Sequence, residues 1–332
     1  MHSRLSQRIA DALLSAGVPR ESCLLVGFSG GRDSVALVAL LQEAGFGGLT
    51  LLHLDHGLRS ESRMDAEWCL EFGRARGLEV VVERTAVGGT EGGHGVGLEE
   101  KGRAARYAFF SRIALQRGIR EVVLGHHADD QVETFLFRLL RGSGSLGLGG
   151  MAPWSERVEG EVSLRLLRPM LGVWRTELDE WIARRGLTFC EDLSNADPRW
   201  ARNRIRHGLL PEMERAMERP VKAALWRTAE LLRAEADWLR EHDAAGGELQ
   251  EQLDVKSLRL LAVAQRRLRI TRWLALHEVP EVGFELVEAV ARLVSERFPA
   301  KVNLPGGRHV RRRAGRIFVE GCTGNDPLKK LI

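Results

Sequence analysis

The stretch GFSGGRDS, Gly27–Ser34, follows the apolar run CLLV and precedes VALVALLQEAG. Glycines let a backbone turn tightly and approach an anion. The start of the following helix offers free N–H groups and a partial positive charge. Ser29, Gly30, Gly31, Arg32, Asp33 and Ser34 therefore read as a phosphate cradle in which two hydroxyls add donors. The pattern is neither G-x-x-x-x-G-K-[ST], since positions 32 and 33 are Arg and Asp, nor G-x-G-x-x-G. A carboxylate beside a phosphate needs a cation between them. Asp33 thus implies Mg2+ riding on a nucleotide, a cation that binds through one or two carboxylates plus phosphates. The same residues would also serve as a Gly-rich turn whose Asp or Ser caps a helix.

Three further constellations carry reactive groups. HLDHGLR, His53–Arg59, places acid and base residues after an apolar run. GHHADDQVETFLFRLLRG, Gly125–Gly142, puts His126, His127, Asp129 and Asp130 directly after REVVL, with Asp130 and Glu133 on one helix face at i, i+3. That cluster could ligate a metal, with zinc on the two histidines and a carboxylate, or hold an amine, or abstract a proton. It could also only cap a helix through Asp129 or Asp130. FCEDLSNADPRWARNRIRHGLLPEM, Phe189–Met213, turns from acidic residues into Arg199, Arg202, Arg204 and Arg206. At i, i+4 on a helix, Arg202 and Arg206 are expected to clamp one phosphate together. Arg103 and Arg106 lie in LEEKGRAARYAFF. RGSGSLGLGGM, 141–151, contains a formal G-x-G-x-x-G, but it follows a helix and is expected to be a mobile substrate loop.

These residues need a frame. Strands are expected at Cys23–Phe28, Leu49–Asp55, Leu78–Arg84, Glu121–Gly125 and Leu164–Leu167, with helices at Ser34–Glu43, Ser62–Arg76, Leu98–Arg117, Asp129–Arg141 and Thr176–Arg185. Such alternation predicts an α/β, doubly wound, mostly parallel sheet, whose ligands sit at the carboxyl ends of the strands. Beyond it, Val221–His242, Val255–His277 and Gly283–Arg297 have helical periodicity, and 301–320 reads as short β segments. The expected division is a nucleotide-binding catalytic domain over 1–215 and a small, mostly helical, basic domain over 216–332, with the boundary near Pro211–Pro220.

Composition narrows the class. Residues 1–198 carry 23 basic against 27 acidic side chains, and residues 199–332 carry 26 against 18. The basic half is rich in arginine, which matches phosphates bidentately and suggests a nucleic-acid partner. The four cysteines, Cys23, Cys69, Cys190 and Cys322, form no C-x-x-C, which argues against a disulfide framework or a zinc ribbon. No apolar run has the length of a membrane span. MHSRLSQRIADALLSAG lacks the apolar core of a secretory signal and is expected to be an amphipathic helix of a cytoplasmic protein.

SGGRDS resembles the pyrophosphate loop, or PP-loop, of the N-type ATP pyrophosphatases, which cleave ATP between the α and β phosphates and adenylate an acceptor oxygen. In order, SGGRDS, LDHGLR, EEKGRAARY, GHHADDQVET, RGSGSLGLGGM, RPM and EDLSNADPRWARNRIRHGLLP resemble the tRNA(Ile)-lysidine synthetases, densely over residues 22–215 and more loosely beyond. The resemblance implies ATP-dependent adenylation of C2 of the wobble cytidine in a tRNA(Ile) with anticodon CAU. Displacement of AMP by the ε-amine of L-lysine would then give lysidine. It implies ATP and Mg2+ as cofactors, with Asp33 at the metal and Asp55 and His56 joining the loop at the nucleotide. Asp130 is expected to take the amine's proton, and Arg106, Arg202 and Arg206 to stabilise phosphate charge. His126, His127, Glu133 and Asn203 are expected at the substrates, and Arg311, Arg312 and Arg313 at the tRNA acceptor stem. A homodimer is compatible with the resemblance. Longer family members carry a second C-terminal domain, so tRNA contacts are here expected from the catalytic domain and one basic domain.

Other readings are a tRNA thiolase on the same loop, an amide-forming synthetase, and a non-enzymatic RNA-binding protein. The first calls for reactive or cluster-binding cysteines and the second for a glutaminase nucleophile. The third conflicts with Asp33, Ser34 and Asp130.

Overall fold

The computed structural model describes residues 3–55, 57, 62–85, 96–190, 200–244, 251–280 and 282–321. Contacts within the chain divide it into two compact units, Met1–Phe137 with Gly150–Ala229, and Arg138–Gly149 with Glu230–Ile332.

Helix α1 (Arg4–Ser15) opens the first unit, started by Ser3, whose side chain accepts the Ser6 N–H. In chain order then come β1 (Leu24–Gly27), α2 (Arg32–Glu43), β2 (Leu49–Asp55), α3 (Ser62–Arg76), β3 (Glu79–Arg84), α4 (Val96–Arg117), β4 (Glu121–Val123), α5 (Ala128–Leu140), α6 (Ser145–Leu148), which belongs to the second unit, β5 (Trp154–Glu159), β6 (Val162–Leu167), α7 (Arg175–Arg185) and α8 (Ala201–Arg204). A π-helical segment, Ile205–Leu209, runs from α8 into α9 (Leu210–Met217), and α10 (Lys222–Ala244) comes next.

The sheet order is β3-β2-β1-β4-β6-β5. All pairs are parallel except β5 with β6. Side chains alternate across β1: Leu24 and Val26 enter one core with α1, α2 and α7, and Leu25 enters the other with Tyr107, Phe109 and Phe110 of α4. Covering both faces excludes water from the parallel ladder, as such sheets require. The doubly wound class expected from the sequence is what forms. β1 lies centrally, so the loop after it and the turn after β4 emerge side by side at the carboxyl edge.

The second unit holds β7 (Leu253–Asp254), α11 (Val255–Leu260), α12 (Val263–Leu276), α13 (Phe284–Arg292), β8 (Lys301–Asn303), β9 (His309–Arg313) and β10 (Arg316–Glu320). Its four strands form an antiparallel sheet ordered β7-β10-β9-β8, packed with the helices around the fully buried Trp273.

Three expectations change. The single helix expected over Val255–His277 is broken: Leu261 turns extended, with ψ 142°, and Ala262 restarts the chain as the N-cap of α12. The glycine-rich stretch at 141–151 contains the one-turn helix α6. Strand β5 was not anticipated. Its exposed and half-buried residues alternate at the sheet edge, leaving no apolar run to betray it.

Candidate active site

The loop between β1 and α2 is shaped from behind. Gly30 has φ +79°, and a Cβ there would lie 2.9 Å from Cys69 Sγ, so conformation and space both require glycine. The Cys190 N–H donates to the Gly30 carbonyl at 2.9 Å. Gly31 is the N-cap of α2 and brings no side chain to it, which leaves the first-turn amides for an anion. The Ser34 hydroxyl donates to the Gly31 carbonyl at 2.8 Å, and Ser29 Oγ lies 3.2 Å from Ser34 Oγ. Arg32 turns aside from this cradle. Its Nη1 donates to Asp179 Oδ1 of α7 at 2.7 Å, and its guanidinium lies 5.9 Å from the Phe189 ring centre.

At the carboxyl edge the loop meets the turn before α5. The His127 ring is fully buried, with Nε2 3.6 Å from both Asp33 Oδ2 and Asp130 Oδ2, and Nδ1 3.7 Å from Asp129 Oδ2. These separations exceed a hydrogen bond, so the attraction is ionic. Burial alone would lower the imidazole pKa, but the surrounding carboxylates of Asp33, Asp130 and Asp129 outweigh it and push the value up to about 9. His127 is the N-cap of α5, and Asp130 reaches back to accept its N–H at 3.0 Å, one half of a capping box. Arg206 closes the cluster: Nε donates to Glu133 Oε1 at 2.5 Å and Nη2 to Asp130 Oδ1 at 3.3 Å. Burial raises the Glu133 carboxyl pKa, Asp130 adds to the rise, and Arg206 opposes it.

His126, one residue away, lives in the opposite field. Burial and then the guanidinium charges of Arg168, Arg202, Arg106 and Arg103 push its pKa down to about 3, and it stays neutral. Of the pair expected to clamp a phosphate, Arg206 is engaged by Glu133 and Asp130, and Arg202 is one of the guanidiniums acting on His126. The chain passes from α-helix to π-helix between them, and one joins the basic cluster while the other joins the acidic one. Among the described residues no group of three or more His, Cys, Asp or Glu is arranged to hold a metal.

The remaining expected residues are spread wider. Asp55 ends β2, where it accepts the Gly57 N–H at 2.8 Å and pairs with Arg84 at 3.5 Å. His56 lies outside the described residues. Asn203 lies in α8 beside Arg202. In the second unit, Arg311 pairs with Glu320 at 3.2 Å. Arg312 donates to the Leu293 carbonyl at the end of α13 at 3.0 Å, and Arg313 is exposed.

Sequence reasoning passed over Arg168 and Lys222. Arg168, of the RPM motif after β6, is 7% exposed and donates to the Ala152 carbonyl and to Ser155 Oγ. A strand-terminal arginine at the ligand edge was the signal available. Lys222 Nζ donates to Asp129 Oδ1 at 2.9 Å across 93 residues of sequence, which no local pattern announces.

Two family models match the chain, a PP-loop domain over residues 1–213 and a TilS substrate binding domain over residues 253–318. It is similar to the tRNA(Ile)-lysidine synthase of Streptomyces coelicolor, 40% identical over 318 residues, or 91% of this chain and 86% of that protein. The Thermobifida fusca protein of the same name is 38% identical over 91% of this chain and 93% of its own length. A third, from Solibacter usitatus, is 39% identical over 81% of this chain, which spans only 61% of that relative. Among solved structures, a U34-tRNA thiolase from Methanococcus maripaludis shares the fold with TM-score 0.55 at 15% identity, over 69% of this chain and 78% of its own.

Proposed function

The chain belongs to the tRNA(Ile)-lysidine synthase family, and we propose that it joins L-lysine to C2 of the wobble cytidine of a CAU-anticodon tRNA(Ile), with ATP as the activating nucleotide. The reading assigns catalysis to residues 1–215 and further tRNA contact to 216–332, in a cytoplasmic enzyme. The observation that carries it is the meeting of the phosphate loop with an acidic pocket, where His127 Nε2 stands 3.6 Å from both Asp33 and Asp130.

Each part has a task. The open amides after Gly31 receive phosphate oxygens. Asp33 fits a divalent cation, because its Oδ1 is buried without a hydrogen-bond partner among the described residues, with only Arg32 Nε 3.8 Å away as an ion partner, and it stands in the first turn of α2 beside the loop. Mg2+ would complete its shell with phosphate oxygens and water. When bound, the cation would neutralise charge on the departing pyrophosphate. Asp130 and Glu133 offer the substrate ammonium two carboxylates, and the raised pKa of Glu133 suits a group that accepts a proton. Arg106, Arg202, Arg103 and Arg168 around neutral His126 favour the polyanion. Cys69 and Cys190 are held protonated, both pushed up by burial, Cys190 to about 11, which is opposite to what a sulfur-transfer reaction needs.

The test incubates the protein with tRNA(Ile) transcript, ATP, Mg2+ and labelled lysine. The expected result is lysine-dependent AMP release and label in the tRNA, both lost in Asp33→Asn while tRNA binding persists. A requirement for a sulfur donor in place of lysine would overturn the reading.

A further inference from the structure

Asp129 is a carboxylate only 7% exposed, and a buried carboxylate needs partners. It does not cap its own helix. Oδ2 accepts the N–H of Arg175, the first residue of α7, at 3.0 Å, and Oδ1 accepts from Lys222 Nζ at 2.9 Å. The same Oδ2 lies 3.7 Å from Nδ1 of His127. Among the described residues neither nitrogen of that imidazole makes a hydrogen bond, so its orientation depends on the charges around it. Asp129 stands at one nitrogen, and Asp33 and Asp130 share the other. The ring therefore spans the phosphate loop after β1 and the helix after β4, two elements whose carboxylates would otherwise repel each other.

We infer that Asp129 is a positioning residue for the reaction: anchored by Lys222 and the α7 N-terminus, it holds the His127 ring in the orientation that keeps Asp33 and Asp130 at a fixed separation. Asp129 touches neither nucleotide nor amine. Its loss is felt in turnover rather than in substrate affinity. The kinetic part of this inference rests on the proposed lysine-ligating reading.

The experiment uses the full chain and three variants: Asp129→Asn, Lys222→Met and the double variant. Asp129→Asn should lower kcat by about 100-fold, the scale of a misplaced catalytic group, with KM for ATP and for lysine little changed. The double variant removes both charges and leaves neither orphaned. It should melt near the wild-type temperature and remain slow. Ring resonances of 15N-labelled His127, read without substrates, should be sharp in the wild type and exchange-broadened in both Asp129 variants. Wild-type turnover in the double variant, a rise in KM with kcat unchanged, or an unaltered His127 ring would each overturn the inference. If the wild type fails to ligate lysine, the functional reading fails, and the ring resonances alone decide whether Asp129 positions His127.

Discussion

Arg206 and Glu133 form a hydrogen-bonded ion pair in which Nε donates to Oε1 at 2.5 Å, and the Glu133 side chain is only 4% exposed. A cation thus already occupies the acidic pocket where an ammonium group would dock. Taking away the guanidinium strands a buried carboxylate beside Asp130. Arg206→Ala should lose about 3 kcal/mol of stability at neutral pH, the scale of a broken buried pair. Adding Glu133→Gln should restore most of it. Urea unfolding of the two variants checks this, and equal midpoints for Arg206→Ala and wild type would contradict it.

Gly30 combines a left-handed φ with a Cβ position 2.9 Å from Cys69 Sγ. Gly30→Ala should cost about 1–2 kcal/mol from the backbone alone and weaken ATP binding by displacing the cradle. Gly30→Ala with Cys69→Gly removes the clash but not the backbone strain, so it should recover only part of the loss. Thermal melts with and without ATP separate the two contributions.

Arg311, Arg312 and Arg313 differ in what they can offer an RNA. Arg312 already holds the end of α13 through the Leu293 carbonyl. Replacing Arg311 and Arg313 with alanine should make the dependence of log K on log salt shallower for tRNA, by roughly 0.9 for each duplex phosphate that is no longer neutralised. Arg312→Ala should instead lower the melting temperature and leave that slope nearly unchanged.

Glu43 reports on acid stability. Burial would raise its pKa, yet hydrogen bonds from Ser3, Arg185 and Ser6 bring it below its ordinary 4.5. A folded-state pKa lowered in this way contributes stability that is complete above about pH 4.5 and drains away as pH falls through the lower folded value. The stability gap between wild type and Glu43→Gln should therefore be flat at neutral pH and shrink below pH 4.5. A gap that widens on acidification would refute the assignment.

What the sequence disclosed follows physical range. Strands β1, β2 and β4 are largely buried on both faces, so their apolar runs stand out. β5 has a solvated face at the sheet edge and reads as loop. The break at Leu261 has neither glycine nor proline to mark it. Its signal is Gln265, whose side chain reaches back to the Ala262 N–H at 3.3 Å. Asp33, His127, Asp130 and Glu133 could be picked out because each closely follows a strand. Asp129 with Lys222 could not, because only the folded chain brings them together. Arg32 was expected at the nucleotide; Asp179, 147 residues away, draws it toward α7.

The adjacent imidazoles of His126 and His127 have a consequence for substrate choice. One peptide bond separates a neutral ring among guanidiniums from a ring held charged among carboxylates. On the proposed reading, aspartate or glutamate offered in place of lysine would bring its side-chain carboxylate to Asp130 and Glu133, where like charge opposes it. On that reading the carboxylate side would receive the ammonium group and the guanidinium side the polyanion, and reversing the order of these subsites would require both fields to invert.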